Sequence, residues 1–187
     1  AGEIAKLLHG QEVFPDRAHL VGVYALGKCQ RVIRMIRDAG YDRPIYIHGA
    51  LAPLSTLYEN LGVPLGPLLP VAGRARADLA GELVLAPPGA VADRWARRLP
   101  DPLVAVASGW MGVRQRAKQR GAELPLVISD HADLDELLQT LSDLRPEETW
   151  ITHGREDALA HAAAGMGLHA RPLRLAGYGD EDDDSPA

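Results

Sequence analysis

Short apolar runs alternate along this chain with stretches in which apolar residues return every three or four positions. The runs at 20–24, 44–47, 82–86, 103–107, 124–129 and 149–152 read as buried strands. Between them, a segment carrying Val32, Ile33 and Ile36 beside Arg31, Arg34 and Arg37, stopped by Gly40, reads as a helix. So do 51–61, stopped by Gly62, and 91–99. A further helix follows Asp133, a good N-cap with Glu136 three residues on, because Leu134, Leu137, Leu138 and Leu141 then share one face. An Ala-rich segment, 157–166, reads as the last helix, and the Pro/Gly-rich stretch 64–73 reads as irregular.

Strands alternating with helices predict an α/β fold with a largely parallel sheet and helices on both faces. Ligands of such sheets gather where the strands end. At those ends stand Gly27-Lys28, His48-Gly49, Ser108-Gly109, Asp130-His131 and His153-Gly154. If strands 124–129 and 149–152 pair in parallel through the intervening helix, His131 and His153 face one small volume, as a metal site or an acid/base pair requires. Spacing alone leaves open that both are solvent-exposed loop histidines. His9, His19, His161 and His169 have no ligand spacing and read as surface or packing residues.

Composition narrows the classes. The 187 residues suffice for one sizeable core or two small ones. The net charge of −5 owes much to the acidic block 180–184, and 178–187 reads as a disordered tail. Arg114, Arg116, Lys118 and Arg120 form a basic cluster after Trp110, suited to phosphates or simply to water. One cysteine, Cys29, excludes an internal disulfide and fits a reducing cytoplasm. No apolar run is long enough to span a bilayer. The chain opens on Ala1, directly in a helix-like segment, and is therefore expected to be a piece of a longer protein.

Gly22 to Lys28 also spells GxxxxGK, the P-loop spacing, so a nucleotide hydrolase has to be weighed. Cys29 stands where a hydroxyl would hold magnesium, and Val23-Tyr24-Ala25-Leu26 is bulky where backbone amides would wrap phosphate. The P-loop reading ranks last. A catalytic zinc site takes three protein ligands, and no HxHxDH-like cluster occurs in the sequence.

Taken in order, "VGVYALGKCQRVIRMIRDAGY", "PIYIHGAL", "VAVASGW", "LVISDHADLDELL" and "TWITHGREDAL" resemble the distal half of the metallo-β-lactamase/β-CASP nucleases, and within them the bacterial ligase-associated DNA exonucleases. The resemblance implies a β-CASP cap over 1–122 and the C-terminal α/β segment of a metallo-β-lactamase domain over 123–177. It implies a two-zinc phosphodiesterase acting on DNA in repair, alongside an ATP-dependent DNA ligase and a helicase, in the cytoplasm. Most zinc ligands then belong to the family's proximal half, outside this chain. By the same resemblance His131 falls on a motif whose histidine serves the leaving group, and His153 on one that binds zinc. Asp133 orients an imidazole or simply caps its helix. Gly27, Lys28, His48, Gly49, Ser108, Gly109 and Arg114 fall on loops expected to meet the nucleic-acid backbone. Two alternatives stay open: an RNA-processing β-CASP ribonuclease, and a non-catalytic module that binds nucleic acid or a partner. An HxHxDH cluster upstream separates the second from a nuclease.

Overall fold

The computed structural model describes residues 2–152 and 156–173. The chain divides into two compact units, 1–130 and 131–187. This boundary falls a little beyond the 122/123 division that the family resemblance implies.

In the first unit, six strands form one sheet in the order β3-β2-β4-β1-β5-β6, every neighbouring pair parallel. They are β1 (His19–Gly22), β2 (Ile45–Ile47), β3 (Leu68–Pro70), β4 (Leu83–Ala86), β5 (Leu103–Ala107) and β6 (Leu124–Leu126). β1 and β4 are buried along their whole length, as central strands covered on both faces must be. Alternation assigns the faces. Val21, Ile45, Ile47, Leu83, Leu85, Ala105 and Leu126 join Ile4 and Leu7 of helix α1 (Gly2–Val13) and Val32, Ile33 and Ile36 of helix α2 (Lys28–Asp38) in one core. Leu20, Val84 and Ala86 point the other way, onto Ala18, Val71, Leu79, Ala96 and Leu99. Helices therefore cover both sides of a parallel sheet, the architecture that the strand and helix periods predict.

Several local expectations need correction. The stretch read as irregular contains β3, an edge strand ending in Pro70, a position where a missing N–H costs no ladder bond. The helix expected over 91–99 is two pieces, α4 (Pro88–Ala92) and a 3-10 turn Arg94–Arg98. Asp93 breaks it by adopting extended backbone and accepting a hydrogen bond from Arg94 N at 2.6 Å. The segment 51–61 becomes a 3-10 turn, Gly49–Leu51, leading into α3 (Ala52–Asn60). Between β5 and β6 runs the short helix α5 (Arg114–Gln119).

The second unit holds α6 (Leu134–Leu144), β7 (Thr149–Ile151), α7 (Glu156–Gly165) and β8 (Ala170–Pro172). The sequence set strand 124–129 beside strand 149–152; each has a partner within its own unit. β6 is hydrogen-bonded to β5, and β7 pairs in parallel with β8, a strand that Arg171-Pro172 had not signalled. β6 extends the large sheet because its neighbour β5 offers a long buried edge, with Ser108 N continuing the ladder to the Leu126 carbonyl at 3.1 Å. The expected disordered tail, 178–187, lies outside the described residues.

Candidate nucleic-acid interface

Because all six strands are parallel, their carboxyl ends share one edge of the first unit. β1 leaves that edge through α2 toward β2, on one side. β5 leaves through α5 toward β6, on the other. The switch in direction therefore falls between β1 and β5, where an open α/β sheet splits to leave a crevice.

The β1–α2 turn is built around a buried ion pair. Gly27 has φ +75°, a left-handed conformation that favours glycine, and this turns the chain so that Lys28 opens the helix facing inward. Lys28 is only 3 % exposed. Its Nζ lies 2.8 Å from Asp130 Oδ1 and 5.5 Å over the Tyr24 ring. Gln30, also buried, donates from Nε2 to the Ala25 carbonyl at 3.1 Å and to Ser55 Oγ at 3.3 Å, tying down the same turn. Lys28 was expected to meet phosphate; the structure directs its charge to a carboxylate instead. Gln30 is the residue that sequence reasoning passed over, and Asp130, noted there only as a strand-end neighbour of His131, gains its role from Lys28. A lysine and a glutamine flanking Cys29 at the start of an amphipathic helix, on its buried side, were the available signal.

The same geometry disposes of the P-loop reading. Gly22 closes β1 and Val23 N donates to the Ala86 carbonyl at 2.9 Å, so the supposed phosphate loop begins inside the strand ladder. Burial pushes the Cys29 thiol up to about 11, which leaves it an inert core residue.

At the β5 end, Ser108 accepts from Trp110 N at 3.3 Å and caps a 3-10 turn. Gly109 packs close to the loop after β6: an added Cβ would sit 3.3 Å from that of Ser129. Gly27, Lys28, Ser108 and Gly109 are thus gathered with Ser129 and Asp130 at one place. His48 stands apart at the end of β2, where Nδ1 accepts from Ala50 N at 3.0 Å and the ring meets Trp95 edge-on at 4.7 Å. That bond leaves the ring proton on Nε2. Gly49 has no neighbour that a side chain would strike. Arg114 is exposed at the start of α5.

The remaining site residues belong to the second unit. His131 is exposed immediately ahead of α6. Asp133 forms the capping box that its spacing predicted, accepting from Glu136 N at 2.9 Å while Glu136 Oε2 accepts from Asp133 N at 3.0 Å. A helix cap accounts for this carboxylate without a second role. His153 and Gly154 lie outside the described residues. Among the described residues no three His, Cys, Asp or Glu side chains cluster as a metal site. Nor, among them, is any helix long and apolar enough to cross a membrane.

Residues 126–170 match the family described as the Zn-dependent metallo-hydrolase RNA specificity domain. Along 171 residues, 90 % of its length, the chain is 25 % identical to a protein named "Probable DNA ligase" from Opitutus terrae (strain DSM 11246 / JCM 15787 / PB90-1). It spans 16 % of that protein. The fold and these two similarities together support the metallo-β-lactamase/β-CASP metallo-hydrolases as the family of this chain.

Proposed function

We propose that this chain is the cap and the closing segment of a zinc-dependent phosphodiesterase that degrades DNA ends in repair, working in the cytoplasm beside an ATP-dependent DNA ligase and a helicase. The observation that carries the reading is the match over 126–170, which takes in both His131 and His153. The relative named as a DNA ligase favours DNA as substrate and a ligase as companion. The description of the matched domain as one of RNA specificity favours the second reading, an RNA-processing nuclease.

In this reading His131 holds the proton that the departing sugar oxygen takes up, a task suited to an exposed imidazole that substrate can reach. His153 is one ligand of a two-zinc centre whose other ligands come from sequence beyond these residues. Asp133 fixes the first turn of α6, and with it the backbone two residues from His131. The test is a nuclease assay on the intact protein with end-labelled single- and double-stranded DNA and RNA, joined to metal analysis. His131→Ala and His153→Ala should both abolish hydrolysis, and only His153→Ala should lower zinc content. Equal zinc in the two variants overturns the division of roles. Hydrolysis of RNA but not DNA selects the second reading.

A further inference from the structure

The crevice between the carboxyl ends of β1 and β5 contains features that the ion pair and the caps do not explain. It is lined by Gly22 and Tyr24 from β1 and the residues after it, by Ser108 and Trp110 beyond β5, and by Arg116 and Arg120 around α5. Gly22 and Val106 face away from α2 by strand alternation, so the crevice opens on the α4 and α5 side of the sheet.

Two aromatic rings stand exposed at its mouth, in a chain where aromatic residues are only 5 % of the sequence. Trp110 is 63 % exposed and Tyr24 54 %. Burying an indole would remove a large apolar area from water, and this fold leaves most of it uncovered. The Arg116 guanidinium lies over the Trp110 ring, 4.9 Å from its centroid, and steadies its plane. Arg114, Arg116, Lys118 and Arg120 are all exposed, and none forms an ion pair among the described residues. Four like charges on α5 and its C-cap repel one another, and a polyanion relieves that repulsion.

Resting on the reading of this chain as part of a nucleic-acid hydrolase, we propose that the crevice binds single-stranded nucleic acid. Trp110 and Tyr24 offer ring faces to an unpaired base, and Arg116, Arg120 and their neighbouring cations take the flanking phosphates. Stacked aromatics inside a basic groove are how single strands are held without sequence readout. A base inside a duplex cannot reach the rings, so the site selects strands that are already open.

The test is fluorescence anisotropy of labelled 12-mer oligodeoxythymidylate and oligouridylate against the whole chain, with a blunt duplex as the third probe. A chelator is present throughout, so hydrolysis does not contribute. Trp110→Ala should weaken single-strand binding about tenfold and Trp110→Phe much less. Arg116→Ala with Arg120→Ala should lower the slope of log affinity against log salt by about 1.4, the release expected for two phosphates on a single strand. Thermal melts like the parent's confirm that these exposed positions leave the fold intact. Trp110→Ala binding like the parent, or a duplex bound as tightly as the single strands, overturns the site. If the intact protein hydrolyses nucleic acid and Trp110→Ala still binds normally, the inference falls alone and the proposed function stands. If no hydrolysis is found but Trp110→Ala loses binding, the proposed function falls and the site stands.

Discussion

In the first unit both faces of a six-stranded sheet are covered, and long side chains such as Leu20, Ile33, Leu83 and Leu85 are wholly buried. In the second, Ile151 and Ala163 are the buried hydrophobic residues among those described, while Leu134, Leu137, Leu144, Trp150 and Met166 stay exposed. Both units are made of the same alternating strands and helices, so local pattern does not separate them. The difference is closure. A six-stranded sheet with helices on each side encloses two cores, whereas a two-stranded sheet beside two helices is too thin to cover the apolar stripe of α6.

If this contrast is right, substitutions of similar chemistry should have very different effects in the two units. Leu85→Ala should lower the unfolding free energy by about 2 to 5 kcal/mol, measured by denaturant titration, because it opens a cavity in an enclosed core. Leu144→Ala, at a side chain 72 % exposed, should stay within about 0.5 kcal/mol. Comparable losses at the two positions would erase the distinction.

Next in size is the buried ion pair. Asp130→Asn leaves the Lys28 ammonium without its carboxylate and should destabilise by about 3 kcal/mol, the low end for a broken buried pair because Asp130 keeps some contact with water. Lys28→Met combined with Asp130→Asn removes the uncompensated charge and should recover much of that loss. A double variant no better than Asp130→Asn would show that the pair is not what holds the β1–α2 turn to the end of β6.

A smaller effect belongs to the second unit. Asp133→Ala removes the α6 cap and should cost about 1 kcal/mol of local stability, seen as faster amide exchange at Glu136 with little change in the melt of the first unit.

The gentlest probe is pH. Burial lowers the pKa of His19 below its ordinary 6.5; its Nε2 donates to the Phe14 carbonyl at 3.1 Å and its Nδ1 is buried without a partner among the described residues. Below about 6.5 the unfolded chain takes up a proton that the folded chain refuses, so this stabilisation is present above that pH and is lost as pH falls. Glu123, held down chiefly by its hydrogen bond from Arg17, adds a second loss as pH falls below 4.5. Melts of the first unit from pH 8 to 3 should therefore decline on acidification, and His19→Gln should flatten the upper part of that decline.

Much of this was legible beforehand where a signal is local. Six strands fall on apolar runs, α2 and α6 on helical periods, and the Asp133 cap on its three-residue spacing to Glu136. β3 and β8 were not visible, since 68–70 and 170–172 carry prolines and little alternation, and only pairing with a neighbouring strand makes them extended. Among the site residues, the spacing of Gly27 and Lys28 showed a turn into a helix but not which way the lysine faces.

The sequence alone therefore determined the kind of fold and the caps, because backbone preference and amphipathic period act over a few residues. It also singled out the ordered set of motifs whose family the comparisons support. Tertiary structure alone decided that β6 joins β5 and β7 joins β8, that Lys28 meets Asp130 across 102 positions of chain, and that Trp110, Tyr24, Arg116 and Arg120 share one crevice. Those outcomes depend on which strands become neighbours, and strand partners are selected by the competition to bury whole faces at once, which no short window of residues contains.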